Sequence, residues 1–288
     1  MQDTQTLIEQ LNLSGARLSK GHGRIADYIA SHYEKAAFMT AVALGESCGV
    51  SESTVVRFAF AMGYKGYPEL QAALQELVRQ RLTAEQRFAI ASEISESDVL
   101  RTVLKNDAQN IRRTAEALSQ TDFDEAVRRI LAAKRVYVMG LRSAAPLAQF
   151  LGHYLHLIFD DVFLVQNTAG DVFEEIERIG ESDVLIGVSF PRYSTRTLEC
   201  MRFARENGAQ VIALTDSAMS PLNAASDVCL YAQTDMASFV DSLAAPLSVV
   251  NALIVSLGLH RREELAAHFR RLEAIWNAHS VYIDKEHA

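Results

Sequence analysis

The sequence predicts an α/β protein in two parts: an N-terminal all-α bundle followed by a doubly wound, five-stranded parallel sheet. Three observations predict it. Residues 40–67 have the anatomy of two short helices joined by a tight turn. From Arg135 onward, the apolar pattern changes to short runs rich in β-branched and aromatic residues. Helix-like stretches separate those runs, and this alternation means a parallel sheet covered on both faces.

In chain order, residues 4–11 suggest a short opening helix, and a second is expected from Ser19 to about His32 with Ile25, Tyr28 and Ile29 buried. Thr40 can cap the next helix, whose Val42, Ala43 and Leu44 are expected to face inward. Gly49 gives the turn its backbone freedom, and Val50 plugs the angle between the helices. Ser51 is the expected N-cap of the second helix, its hydroxyl accepting a bond from a first-turn amide. Within that helix Val55, Phe58 and Met62 recur at helical spacing and must be buried, which leaves Glu52, Ser53, Thr54 and Arg57 on other faces near its start. A helix-turn-helix DNA reader pushes such N-terminal residues into the major groove. Tyr64, Lys65 and Tyr67 follow as donors to phosphate oxygens. A plain helical hairpin inside a bundle is the competing reading of this stretch. A helix from Pro68 to about Arg81 completes a five-helix bundle.

Residues 82–133 read as a stiff helical linker without Gly or Pro, with Val99, Val103, Leu104, Ile111, Ala115 and Leu118 at helical spacing. Thr121 or Asp122 is the expected cap of its last helix. The boundaries follow: 1–81 the helix-turn-helix domain, 82–133 the linker, and 134–288 the α/β domain. Strands are expected at 136–140, 162–165, 183–189, 210–216 and 227–232, with helices at 144–159, 171–179, 195–207, 239–257 and 262–278.

The net charge of −8 is unevenly held. Residues 1–81 carry eight basic and eight acidic side chains, so all the excess acidity lies in the remainder. Phosphate binding depends on local cations, here Arg17, Lys20, Arg24, Arg57 and Lys65. A neutral reader has a weak electrostatic footprint, so modest affinity per monomer and a need for dimerisation are expected. No apolar run is long enough for a membrane span, and the N-terminus lacks the pattern of a secretory signal. Cys48, Cys200 and Cys229 are scattered and read as reduced thiols in a cytoplasmic protein.

In a doubly wound sheet, ligands bind beyond the carboxyl ends of the strands. Three such loops stand out: Gly140-Leu141-Arg142-Ser143, Ser189-Phe190-Pro191-Arg192-Tyr193-Ser194, and Thr215-Asp216-Ser217 leading to Ser220. The first two each place a hydroxyl and an arginine at the mouth of a helix, where unpaired amides favour phosphate or carboxylate. An anionic small-molecule site is one reading; helix caps and arginines paired with nearby acids are the other. The candidate effector residues are Arg142, Ser143, Ser189, Arg192, Ser194 and Thr195.

Residues 49–70, GVSESTVVRFAFAMGYKGYPEL, with GLRSA at 140–144, DVLIGVSFPRYSTRT at 183–197 and VIALTDSAMSPLNAASDVCL at 211–230, resemble the RpiR (RpiR/MurR-type) family of bacterial transcription regulators. The matches extend over nearly the whole chain. The resemblance implies a C-terminal sugar-isomerase (SIS) domain of flavodoxin-like fold. It also implies a homodimeric or homotetrameric repressor or activator of a carbohydrate or related catabolic operon, with double-stranded operator DNA and a phosphorylated sugar or related metabolite as partners. Ser143, Ser189 and Ser194 match the family's ligand-contact positions. The usual SIS phosphate loop reads Ser-x-Ser-Gly-x-Thr; here the matching residues are Ser189, Pro191, Arg192 and Ser194. Proline removes a donor amide and arginine fills the glycine's space with a cation, so an anion held outside the usual phosphate cradle, a sugar acid or another carboxylate, is also open.

Catalysis is the weaker reading, since SIS isomerases use a Glu base and often a His, and the strand-end loops contain neither. His153 and His156 lie three apart on a helix without an evident carboxylate partner, so no metal or cofactor is expected. Asp171 and Asp241 lie near strand-end loops as candidate caps, with Ser242 beside the second. The readings are a non-enzymatic DNA-binding regulator, with Ser53, Thr54 and Arg57 on bases and Ser51, Lys65 and Tyr67 on phosphate; a sugar-phosphate isomerase with an appended helical domain; and a metabolite-responsive interaction module.

Overall fold

The computed structural model describes residues 19–37, 39–81, 83, 85, 88, 96–166, 170–236 and 240–282. The opening helix expected at 4–11, together with Arg17, lies outside them. The chain divides into two compact units, Met1–Ala89 and Ile90–Ala288.

The first unit packs α1 (Lys20–Ala36), α2 (Ala41–Cys48), α3 (Glu52–Ala61) and α4 (Tyr67–Arg81) around Ile25, Ile29, Leu44, Val55, Phe58, Leu70 and Leu74, all fully buried. Burying each such side chain contributes about 1.5–3 kcal/mol against chain entropy. Ser19 caps α1 by accepting from the His22 amide, and Thr40 caps α2 by accepting from Ala43. Val42 points outward, unlike Leu44 beside it, because only one side of the short α2 meets the bundle. Gly49 ends α2 at φ 62°, a left-handed conformation that glycine adopts at little cost. Gly45 permits the close crossing of α2 and α3, since a Cβ there would lie 2.8 Å from the Val50 carbonyl oxygen.

The described part of the second unit begins with a 3-10 turn, Glu96–Asp98, leading into α5 (Val99–Ala117), followed by α6 (Gln120–Ala132). Ser119 caps α6 by accepting from the Asp122 amide, so the cap falls two to three residues before Thr121 and Asp122. Then come β1 (Arg135–Gly140), α7 (Ala145–Ile158), β2 (Val162–Val165), α8 (Val172–Glu175), β3 (Asp183–Val188), α9 (Thr195–Glu206), β4 (Gln210–Thr215) and β5 (Val228–Tyr231). Two helices at a sharp bend close the unit, α10 (Ala244–His260) and α11 (Arg262–Ala278).

The five strands are all parallel in the order β2-β1-β3-β4-β5. One core layer joins Val136, Val138, Ile186, Ile212 and Leu230 to α6, α7 and α10 through Ile130, Leu151 and Val250. The other joins Tyr137, Met139, Leu185 and Val211 to Ile176 and to Met201 of α9. The central strand β3 is buried throughout, including Asp183 at its start. That carboxylate accepts from Arg135 at 2.7 and 2.9 Å and from the Gly180 amide at 2.8 Å, partners that a buried charge requires. Where a helix was expected over 171–179 only α8 forms, a single turn capped by Asp171, whose carboxylate accepts from Phe173.

Candidate functional site

In the first unit, the bundle leaves the N-terminal turn of α3 facing outward. Val55, Phe58 and Ala59 are buried, while Ser51, Glu52, Ser53 and Arg57 are exposed and Thr54 is half-buried. Ser51 stands at the N-cap, but its hydroxyl does not bond a first-turn amide. It lies 3.0 Å from the Ser53 hydroxyl and 2.9 Å from that of Thr54, forming a small cluster at the helix tip. The Arg57 Nε donates to the Ser53 carbonyl at 3.3 Å, which lays the guanidinium along the same face. A Cβ on Gly21 would meet Thr54, and one on Gly49 would meet the Arg24 guanidinium, so the start of α1 lies beside this tip. Lys20 and Arg24 are both exposed there.

Lys65 is exposed, and its amide donates to Glu69 at 2.5 Å. Tyr67 departs from the expectation. It is buried, and its hydroxyl donates to the Met39 carbonyl at 2.7 Å, so it ties α4 to the start of α2 and does not face phosphate. Burial pushes its phenol up to about 12. Phe60 is exposed near the far end of α3, a feature that its place in an apolar run concealed.

In the second unit, the strand order reverses direction at β1 and β3, the place where doubly wound sheets open a crevice at their carboxyl ends. Gly140 pairs with Val188 across these neighbouring strands, so the first two loops leave the sheet side by side. Arg142 is exposed with φ 58°, and Arg192 is exposed with φ 67°. Non-glycine residues rarely hold this left-handed conformation, which costs roughly 1–2 kcal/mol each. Among the described residues neither guanidinium forms an ion pair with a carboxylate, so the reading in which they neutralise nearby acids finds no such pair there.

Ser143 and Thr195 are exposed beside these arginines. Ser189 is buried and accepts from the Ser194 amide at 3.0 Å, while Ser194 caps α9 by accepting from Thr197 at 3.3 Å. These two serines therefore fix the loop that presents Arg192. The third loop is different. Thr215 and Ser220 are buried and hydrogen-bonded to each other at 2.8 Å, and Thr215 also donates to Asp216. Tyr193 donates to Asp216 at 2.8 Å, bracing the second loop against the third. The hydroxyls of Thr215 and Ser220 hold the rim together, a role that their spacing did not reveal.

A second bracing set was not foreseen either. Asn106 and Asn110 of α5 both donate to the Asp235 carbonyl, at 2.5 and 2.8 Å, and Arg113 pairs with the Asp235 carboxylate at 2.5 Å. Thr114 accepts from the Gln233 amide, and Ser242 donates to Asp107 at 2.6 Å. These bonds hold Gln233 and Asp235, just after β5, and Ser242, just before α10. His153 and His156 are exposed on α7, and among the described residues no group of three or more His, Cys, Asp or Glu is placed to hold a metal ion. No single described helix is long and apolar enough to cross a membrane.

The first unit is thus a helix-turn-helix module and the second a doubly wound parallel α/β module. A family model for the helix-turn-helix domain of the rpiR family matches residues 5–81, and one for the SIS domain matches residues 129–256. The chain belongs to the RpiR family of HTH-type transcriptional regulators with a SIS domain. The HTH-type transcriptional regulator HexR of Pseudomonas aeruginosa is 28% identical over 279 residues, 93% of this chain and 95% of that protein. HexR of Escherichia coli is 23% identical over 276 residues, 93% of each. Among solved structures, the sugar isomerase domain of an RpiR transcription factor from Sphaerobacter thermophilus is 28% identical. It covers 62% of this chain and 99% of that one, at a TM-score of 0.59. The Vibrio vulnificus NanR protein, complexed with ManNAc-6P, shares the fold at 20% identity and a TM-score of 0.58, over 94% of this chain and 98% of that one.

Proposed function

We propose that this regulator is a repressor of a carbohydrate or related catabolic operon, released or recruited by a small anionic metabolite bound between the strand tips of its SIS domain. In this reading residues 1–81 read the operator, 82–133 carry the connection, and 134–288 sense the ligand. Ser53, Thr54 and Arg57 contact base edges, while Ser51 and Lys65 contact phosphate. Arg142, Ser143, Arg192 and Thr195 contact the ligand, on a loop fixed by Ser189 and Ser194. The protein acts in the cytoplasm without catalysing a reaction, as its relatives' names as regulators support.

The observation that carries the sensing half is the pair of exposed arginines at neighbouring strand tips, both in a left-handed backbone conformation and neither paired with a carboxylate among the described residues. Two planar forks aimed from adjacent loops suit an anion with several oxygens. NanR, of the same fold, is complexed with ManNAc-6P, which supports a phosphosugar class. The buried Pro191 and the cation of Arg192, at positions where the common loop has small residues, support a sugar acid equally. The ligand shifts the arrangement of two readers only by as much as it binds one arrangement better.

The test has two stages. A thermal-shift screen with phosphosugars and sugar acids is expected to yield a selective ligand that raises the melting temperature. Selection from a random duplex library by the purified protein is then expected to enrich a roughly palindromic site, whose retention changes with that ligand. Absence of enrichment would overturn the DNA half, and turnover of a phosphosugar would replace regulation with isomerase activity.

A further inference from the structure

Helix α3 carries one large side chain that neither the bundle nor the expected DNA contacts account for. Val55, Phe58 and Ala59, with Met62 at the C-cap, take the bundle side and fix the rotation of the helix. Phe60 cannot turn inward without lifting them out, and it stands 56% exposed. Among the described residues its ring meets no other ring and no cation. It follows Ser53 by seven residues and Arg57 by three. At 3.6 residues per turn the three lie within about 60° of one another around the axis, and Phe60 stands about 10 Å along it from Ser53. A single exposed phenylalanine is ordinary on a protein surface. This one extends the row that begins at the exposed tip of α3.

We infer that Phe60 reads thymine, its ring packing on the C5-methyl group of one thymine in each half-site of the operator. The inference rests on the proposed DNA reading and adds a base preference to it. The spacing suits the task. In the homeodomain variant of the motif, the helix in the major groove contacts it from positions i, i+3, i+4 and i+7. Ser53, Val56, Arg57 and Phe60 have that spacing, with Val56 half-buried between the exposed three. About 10 Å is some three base-pair steps, which keeps Phe60 within reach of the same half-site. The chemistry then leaves one target. Guanine, cytosine and adenine show hydrogen-bonding groups in the major groove, and the thymine methyl is the one apolar group there. A ring pressed on a polar edge strips its water without returning a bond, so it disfavours the other bases as it favours thymine. A purely apolar protein partner fits less well, because Ser53 and Arg57 on the same row would lose water against it.

The test uses the full chain and the operator selected from the random duplex library. Each thymine of that operator is replaced in turn by deoxyuridine, which removes the methyl group and leaves pairing and the groove's donors and acceptors as they were. At one position per half-site the wild type is expected to bind about fourfold more weakly, the worth of one buried methyl-sized group. Substitution in both half-sites is expected to cost about 16-fold, and uracil at the remaining thymines nothing. Phe60→Ala, a change at an exposed position, is expected to melt as the wild type does and to bind the thymine and uracil operators equally. The uracil series on the wild type stands by itself should that variant not fold. Equal binding of every uracil operator by the wild type would overturn the role of Phe60 and leave the DNA reading standing. So would a Phe60→Ala variant that keeps the preference for thymine, or one that weakens random duplex as much as the operator. A library that enriches no site would overturn the DNA reading and this inference with it.

Discussion

Arg142 and Arg192 share a left-handed backbone, φ 58° and 67°, two and four residues beyond the register-paired Gly140 and Val188. Neighbouring strands thus carry the same strained residue type at the same end of the sheet. If the strain serves ligand binding, glycine at either position should separate stability from function. Arg192→Gly is expected to raise the stability of the second unit by roughly 0.5–1 kcal/mol, after glycine's own entropy cost, and to abolish the thermal shift given by the selected ligand. Arg142→Gly is expected to do the same. A variant that loses stability, or keeps the full ligand shift, would remove the assignment.

The exposed first turn of α3 predicts a division of labour between base and phosphate contacts. Arg57→Ala is expected to weaken binding to the selected operator by about 1–3 kcal/mol and to relax its sequence preference at one position. Lys65→Ala should weaken all sequences alike and reduce the slope of log affinity against log salt by about 1. Competition gel retardation over a salt series separates the two. Identical behaviour of both variants would show that α3 does not read bases.

The crossing of α2 and α3 rests on two glycines with different reasons. Gly49→Ala meets the left-handed penalty, about 1–2 kcal/mol, and otherwise only the far end of the flexible Arg24 side chain. Gly45→Ala places a methyl 2.8 Å from the Val50 carbonyl oxygen, a backbone atom held by its place in the turn. The helices must then separate, at a cost of about 1–3 kcal/mol, and the tip of α3 shifts relative to α1. Thermal melts should show the first unit's transition lowered in both variants, with operator binding lost far more in Gly45→Ala than stability alone explains. Equal losses of binding at equal stability would show that the crossing angle does not matter.

Much of this was legible because local chemistry and global packing agree. Buried runs such as 183–188 can be little else than central strands, and the Gly49–Ser51 turn announces its two helices. The strand-end rule found Arg142 and Arg192 without coordinates, although not their left-handed backbones, which no residue pattern encodes for arginine. What escaped depends on partners distant in the chain. The Tyr67 hydroxyl finds a carbonyl 28 residues away, and Asn106 and Asn110 find theirs more than 120 residues away. The helical period of α5 divided its two faces but could not say which one would pack against α10 and bond the residues after β5. Periodicity gives the division of a helix, and only the packed neighbours give its orientation.

The burial of Tyr67 has a consequence for alkaline stability. Its phenol is pushed from about 10 to about 12, chiefly by burial and secondarily by Cys48. Below pH 10 both folded and unfolded states keep the proton, so this phenol makes no demand on stability. Between pH 10 and 12 the unfolded state ionises first, unfolding releases a proton, and stability falls as pH rises. Tyr64, also raised by burial, adds to the same decline. Tyr67→Phe removes one hydrogen bond, about 1 kcal/mol at pH 8, toward the low end because Gln71 also donates to the Met39 carbonyl. At pH 11 the variant escapes the ionisation cost of about 1 kcal/mol, so its deficit should vanish or reverse. Urea unfolding at the two pH values, followed through the transition that Gly45→Ala moves, measures this directly. A deficit that stays constant from pH 8 to 11 would mean that the phenol titrates normally and is not buried.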